Sequence, residues 1–333
     1  MRLYPTPCTV RDGRAMAEVP VTTLLVAVVA IVAGFGVTVA ASRRAVADAT
    51  ALAGSTRLPP FIVGVTLLAI GTDLPEIANS IVASISGHGD INVGDSVGSA
   101  VTQVTLVLAL LAILGGAFVV GRRRIGRVGG ATVVALLLGA VLMIDGNLSR
   151  RDAVILIGAW LVGSWLVWRD LPPAAQPALQ VIAGNRMGRA FAVLLVLAVV
   201  AAGATAALWG LTTVARALAI SEYLIAFFAG SIGTSLPELV FAVTAIRRGQ
   251  RDMAVGDVLG SSFVDSTLSI AAGPLLAPVA VSADLVVPGS IAAAAAVGAV
   301  VVILSVRKRH DRVTSLALLT LYFAFYAAVI AVW

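Results

Sequence analysis

The sequence predicts an all-α membrane protein: ten transmembrane helices arranged as two inverted five-helix repeats. Three observations carry that prediction. Of 333 residues, 59% are hydrophobic and 12% charged, with a mean hydropathy of +1.03, which leaves too little polar surface to cover a soluble globule of this size. The apolar residues are gathered into runs of membrane-spanning length. The hexapeptide Gly71-Thr72-Asp73-Leu74-Pro75-Glu76 recurs 162 positions later as Gly233-Thr234-Ser235-Leu236-Pro237-Glu238.

The runs follow one another near 21–41, 60–86, 92–119, 129–145 and 152–168, then 190–215, 222–246, 253–277, 285–306 and 313–333. Most can cross about 30 Å of hydrocarbon at about 1.5 Å per residue. Their connecting loops alternate in charge. Those after the first, third, fifth, seventh and ninth runs hold 17 of the 23 Lys and Arg, so the positive-inside rule places both termini outside the cytoplasm of a cell membrane. The same rule accounts for the net charge of +6, and for Arg122-Arg123-Arg124 and Arg307-Lys308-Arg309, without a nucleic-acid partner. Trp160, Trp165, Trp168, Trp209 and Trp333 fall near run ends, as an interfacial aromatic belt requires. Cys8 is the single cysteine, which excludes an intrachain disulfide and a thiolate metal cluster. Residues 1–20 form a polar segment without signal-peptide features, and Met16 is an alternative start.

The duplication divides the chain into a first repeat over 21–168, a connector rich in Pro and Ala over 169–189, and a second repeat over 190–333. Repeats with an odd number of spans enter the membrane in opposite directions, so the halves form an inverted pair whose interface lies at the midplane. The copies also stay in register beyond the hexapeptide. Gly94-Asp95-Ser96-Val97-Gly98-Ser99 follows the first as Gly256-Asp257-Val258-Leu259-Gly260-Ser261 follows the second, and each Glu-to-Asp interval is 19 residues.

Glu76 and Glu238 lie about ten residues, or ~15 Å, inside their runs, while Gln103 and Asp265 lie ~18 Å inside theirs. An ionised carboxylate at that depth costs at least ~2.5–3.5 kcal/mol, and a bound hard cation offsets the cost directly. Pro75 and Pro237 deprive the Gly71 and Gly233 carbonyls of helical donors and so bend each helix. Thr72 with Glu76, Thr234 with Glu238, Ser99 with Gln103 and Ser261 with Asp265 are all spaced i,i+4, each pair on one helix face. His88 and His310 fall in loops, which disfavours a histidine-based transition-metal site. Asp95 and Asp257 read as first-turn caps ahead of direct ligation, with attraction of cations at an entrance as the functional option, Asn79 as a continuation of the Thr72–Glu76 face, and Asp145 and Asp152 as solvated.

Over 66–106 and 228–268 these paired motifs resemble the two alpha repeats of the sodium/calcium exchanger family, of prokaryotic type, within the calcium:cation antiporters. The resemblance implies a transporter and not an enzyme, with no organic cofactor, exchanging Ca²⁺ for Na⁺ or H⁺ by alternating access. Matched residue by residue, it implies that Glu76 and Glu238 are central ligands with Thr72 and Thr234 beside them. Asp73 and Ser235 take the serine position of each repeat, and Ser99, Gln103, Ser261 and Asp265 the second-helix positions. Ala69 and Ser231 take positions that offer backbone carbonyls.

The chain departs from the family pattern at four positions. Asp73 stands where the first repeat usually has serine, giving four acids instead of three; crowding favours a proton shared among them, and hence H⁺ coupling. Ala100 and Ser262 replace the asparagine of each Gly-Ser-Asn, and Gln103 replaces a shorter amide. A cation-selective channel uses the same ring of oxygens and is the alternative from another class, as is antiport of another divalent cation. An intramembrane aspartyl protease fails, because Asn92 and Ala254 occupy the first glycine position of its Gly-x-Gly-Asp motif.

Overall fold

The computed structural model describes residues 19–53, 60–119, 121–169, 186–247, 249–307 and 309–332. Cys8, Met16, Trp333 and most of the 169–189 connector lie outside the described residues. Ten helical stretches follow in order: α1 (Val21–Ala53), α2 (60–85), α3 (Gly89–Gly115), α4 (Arg122–Leu142), α5 (Arg150–Trp168), α6 (Arg186–Leu218), α7 (Glu222–Arg247), α8 (251–276), α9 (Ala283–Arg307) and α10 (Arg312–Val332). Among the described residues, six are long and apolar enough to cross a membrane: α3, α4, α5, α7, α9 and α10. Neither α2, interrupted at Asp73, nor α8, with Arg251, Asp252, Asp257 and Asp265, belongs to that set. Both give up apolar continuity to carry polar groups.

Irregularities recur at the interval of the sequence repeat. Five-residue π-helical segments occupy Gly64–Leu68 and Ala226–Gly230, and Gln103–Val107 and Asp265–Ser269. The members of each pair are 162 residues apart. Asp73 and Ser235 leave helical geometry in the same way, at φ −79°, ψ 9° and φ −77°, ψ 5°. In both, a proline sits at the second position of the helix that follows, where a missing N–H costs nothing.

Helices α2, α3, α7 and α8 form the centre. α3 crosses α7 as α8 crosses α2, α5 packs on α8 as α10 packs on α3, and the α1–α6 and α4–α9 pairs flank them. Lipid tails are as apolar as leucine, so close contact and hydrogen bonds hold such helices together. The closest approaches are at glycine. A Cβ on Gly94 or Gly98 would come within 2.4 Å of the Tyr223 or Phe227 carbonyl, and one on Gly256 or Gly260 within 2.6 Å of the Phe61 or Val65 carbonyl. Exposed Val29, Val32, Leu161, Val162, Val302 and Phe323 face outward.

Two short antiparallel ribbons tie the halves together. β1 (Phe118–Val119) pairs with β4 (Arg309–His310), and β2 (Asn147–Leu148) with β3 (Val279–Ala280). His310 is therefore a buried strand residue and not a loop residue: Nε2 lies 2.7 Å from the Leu108 carbonyl, and burial lowers its pKa. Asp152 forms a capping box with Ser149 at the start of α5. Between α2 and α3, His88 Nδ1 meets Glu222 Oε2 at 2.8 Å.

Replacing Gly98 or Gly260 by alanine drives a methyl into a backbone carbonyl; each change is expected to cost about 1–3 kcal/mol, read as a lower melting temperature of the purified protein. A Gly126→Ala control, where nothing lies within 4 Å, leaves it unchanged. The hydrogen bond that His88 donates to Glu222 raises the His88 pKa above its ordinary 6.5, against partial desolvation. Because the folded value exceeds the unfolded one, the stability of this pair is complete below pH about 6.5 and is lost as pH rises through the raised value. A thermal-shift series across that window should show the decline, and Glu222→Gln should remove it.

Candidate cation site

The two helix breaks and the two late π segments meet at the centre of the bundle. Asp73 and Glu76 flank the break in α2, Ser235 and Glu238 the break in α7, and Gln103 and Asp265 open the π segments of α3 and α8. Ala69, Asp73, Glu76, Ser99, Gln103, Ser231, Glu238, Ser261 and Asp265 have no exposed surface, and Thr72, Thr234 and Ser235 at most 2%. All twelve residues singled out in the sequence are thus buried around these four helices.

Hydrogen bonds between the halves are reciprocal. Thr72 Oγ1 lies 3.4 Å from Asp257 Oδ1 and 3.2 Å from Ser261 Oγ. Thr234 Oγ1, its counterpart, donates to Asp95 Oδ1 at 3.0 Å and lies 3.1 Å from Ser99 Oγ. Ser262 Oγ donates to the carbonyl of Ala100, 162 residues away, at 2.9 Å. Residues that change places in each other's contacts, and equivalent residues that touch, mark a local two-fold arrangement. The Ala69 carbonyl accepts the Asp73 N–H at 3.0 Å and Thr72 Oγ1 at 3.3 Å, and the Ser231 carbonyl accepts the Ser235 N–H at 3.1 Å and Ser99 Oγ at 3.4 Å.

Asp95 and Asp257 are corrected from caps to interior groups. Helix α3 begins at Gly89 and α8 at Arg251, so each aspartate is a full turn and more inside its helix and is buried. Asp95 also accepts from Asn79 Nδ2 at 2.6 Å. The signal was present in the sequence: Asp95, Ser99 and Gln103, like Asp257, Ser261 and Asp265, form one i,i+4 ladder.

Within this shell, Asp73, Glu76 and Asp265 each place a carboxylate oxygen within 4.8 Å of the other two. Glu238 is buried nearby but is not part of that triad. Both oxygens of Asp73, Glu76 and Glu238, Oδ2 of Asp265, both amide atoms of Gln103 and Oγ of Ser235 lack a hydrogen bond of regular geometry among the described residues, although Asp73 and Glu238, Glu238 and Thr72, and Asp265 and Gln103 lie close enough to interact. Two oxygens bound to one Ca²⁺ at 2.3–2.6 Å are at most about 4.6–5.2 Å apart, so the triad fits one coordination sphere. Three carboxylates at such spacing repel by about 3–4 kcal/mol per pair at an effective dielectric near 20. A bound cation or a proton relieves that repulsion.

A helical membrane protein whose centre holds unpaired acid oxygens, framed by broken helices, belongs to the class of ion transporters and not to the enzymes. Residues 26–169 and 189–331 match the family model described as sodium/calcium exchanger protein. The chain belongs to the sodium/calcium exchanger family. It is 30% identical over 270 residues to the inner membrane protein YrbG of Escherichia coli K12, covering 77% of this chain and 81% of that protein. It is 25% identical over 284 residues to the sodium/calcium exchanger MaX1 of Methanosarcina acetivorans, covering 71% and 79%. A solved structure of the sodium-calcium exchanger NCX_Mj superposes with a TM-score of 0.59 at 25% identity, over 92% of this chain and 98% of that one.

Breaking the reciprocal contacts with Thr72→Val or Thr234→Val leaves a buried aspartate short of a donor. Each is expected to lower the melting temperature by an amount equivalent to about 1–3 kcal/mol, and the two should act alike if the contacts are equivalent.

Proposed function

We propose that the protein exchanges Ca²⁺ for Na⁺ across the cell membrane by alternating access. The observation that carries this reading is the buried, unpaired Asp73–Glu76–Asp265 triad beside Glu238, at the meeting of two repeated helix breaks. In one state these acids hold Ca²⁺; in the other, monovalent cations take overlapping positions and neutralise the same charge. Mutual exclusion supplies the coupling. Ligand oxygens come from Thr72, Asp73, Glu76, Ser99, Gln103, Thr234, Ser235, Glu238, Ser261 and Asp265, with the backbone carbonyls of Ala69 and Ser231. The names of MaX1 and NCX_Mj agree with this pair of ions.

The ten helical stretches are read as ten spans in two inverted halves, 21–168 and 190–333, with a polar segment over 1–20 and a connector over 169–189. Two observations support the inversion. β2 and β4 are 162 residues apart, yet β2 shares its end of the bundle with Ser282 and Asp90, and β4 shares the other with Phe118. The central hydrogen bonds exchange between halves. Both termini are placed outside, from the distribution of arginines.

A second reading, H⁺ in place of Na⁺, is favoured by Asp73, which adds a fourth acid and belongs to the triad. Proteoliposomes distinguish the two. ⁴⁵Ca²⁺ uptake driven by an outward Na⁺ gradient supports Na⁺ exchange, uptake driven by a pH gradient alone supports H⁺, and flux that needs no counter-ion indicates a channel. Glu76→Gln and Asp265→Asn are each expected to cut uptake to below about one tenth, a loss of ~1.4 kcal/mol or more, with membrane insertion intact. Asp73→Ser is expected to abolish any pH-driven component; if pH dependence is unchanged, Asp73 is not the proton site.

A further inference from the structure

One half of the molecule carries a polar seam that the other half lacks. On α2, Ser80 and Ser84 extend the Thr72–Glu76 face in four-residue steps. Both abut the last turns of α8: the Gly273 N–H donates to Ser80 Oγ at 3.0 Å, and a Cβ on Gly273 would lie 2.2 Å from Ser84 Oγ. On α3, Asn92 and Ser96 are four residues apart and Ser96 precedes Ser99 by three, so they adjoin the Ser99–Gln103 face, and Asn92 Nδ2 donates to the Ile270 carbonyl of α8 at 3.1 Å. Ser269, the residue before Ile270, donates to Asp265 Oδ1 at 3.1 Å and so joins the seam to the carboxylate triad.

All five side chains are buried. Ser84 Oγ, Ser96 Oγ and Asn92 Oδ1 have no hydrogen-bond partner among the described residues. Buried polar atoms are seldom left unpaired, and where protein donors are missing, water or a cation takes their place. The positions 162 residues away in the chain hold Ala242, Ile246, Ala254, Val258 and Val107, every one buried and apolar. The backbone repeats there, but the chemistry of the seam does not.

The ends of the bundle differ in the same sense. The seam runs toward the loop at His88, where Glu222 pairs with His88, Asp90 accepts from both N and Oγ of Ser282 at 2.6 Å, and Arg150 donates to the Leu275 and Leu276 carbonyls at the end of α8. At the other end, Arg122, Arg123, Arg124 and Arg127 line a cavity of about 330 Å³ beside Phe61 and Val167. An acidic rim concentrates cations and a basic one repels them.

We infer that the Ser80–Ser84–Asn92–Ser96 seam is a hydrated route by which hard cations reach the triad from the acidic end, and that the matching Ile246–Val258 seam is a dry seal on the other side. The inference rests on the triad being the cation site. It makes the two access paths unequal: one is lined with oxygen that replaces part of a hydration shell, and the other admits an ion only when helices separate.

Cys8 is the single cysteine, so a Cys8→Ser background allows one thiol at a time. Cysteine is placed singly at Ser84, Asn92 and Ser96, and at Ile246, Ala254 and Val258, and the reconstituted protein is treated with a cationic methanethiosulfonate. The seam cysteines are expected to react at least about tenfold faster than their counterparts, the ratio set by ~1.4 kcal/mol of extra opening, and to be slowed by Ca²⁺. Equal rates in the two sets overturn the inference. Because Ser→Cys changes one atom, Ser84→Cys and Ser96→Cys keep the test valid even if larger changes misfold. ⁴⁵Ca²⁺ exchange by the Cys8→Ser protein is measured in parallel. Exchange with unreactive seam cysteines overturns the route alone, whereas reactive cysteines in a protein that exchanges no cation uphold the hydrated seam and overturn the reading of the triad.

Discussion

Burying acid oxygens without giving them a protein partner is the constraint on which the rest of this molecule turns. Asp73, Glu76, Glu238 and Asp265 are fully or almost fully enclosed, and most of their oxygens are unpaired among the described residues. A regular helix cannot easily gather four such groups, because its carbonyls are already engaged and its side chains splay by 100° per residue. The breaks at Asp73 and Ser235 and the π segments at Gln103 and Asp265 re-aim side chains at those positions. Around them, Thr72, Thr234, Asp95 and Asp257 bond across the halves and hold the breaks in place. The glycines of α3 and α8 let the backbones approach closely enough for those short side chains to meet.

Symmetry governs the frame more strictly than the contents. Each half contributes two acids, but the first half draws one from its helix break and the second draws one from its π segment. Asp73 faces a serine counterpart and Asp265 a glutamine, so the triad gathers to one side of the local two-fold.

Much of this was legible in the sequence, because the duplicated hexapeptide and the i,i+4 pairs report backbone chemistry and helix face directly. The twelve proposed ligands are buried on the four central helices for that reason. The reading of Asp95 and Asp257 failed where it relied on a boundary: hydropathy began α3 near residue 92, but the polar residues before that point are helical too, and three extra residues move an aspartate from the cap to the interior. His310 was misplaced because a two-residue strand leaves no periodicity to read. At α2 and α8 the buried polar groups dilute the apolar run, so hydropathy alone marks these two helices less clearly than their neighbours.

The two ribbons bear on how such a chain is made. β1 and β2 belong to the first half, but each finds its strand partner, β4 or β3, only in the second. When the first five helices have left the ribosome, those edges and the polar faces of α2 and α3 still lack their mates. Assembly therefore has to wait for nearly the last helix, and the interval before it emerges is when the half-made protein is most exposed to quality-control proteases.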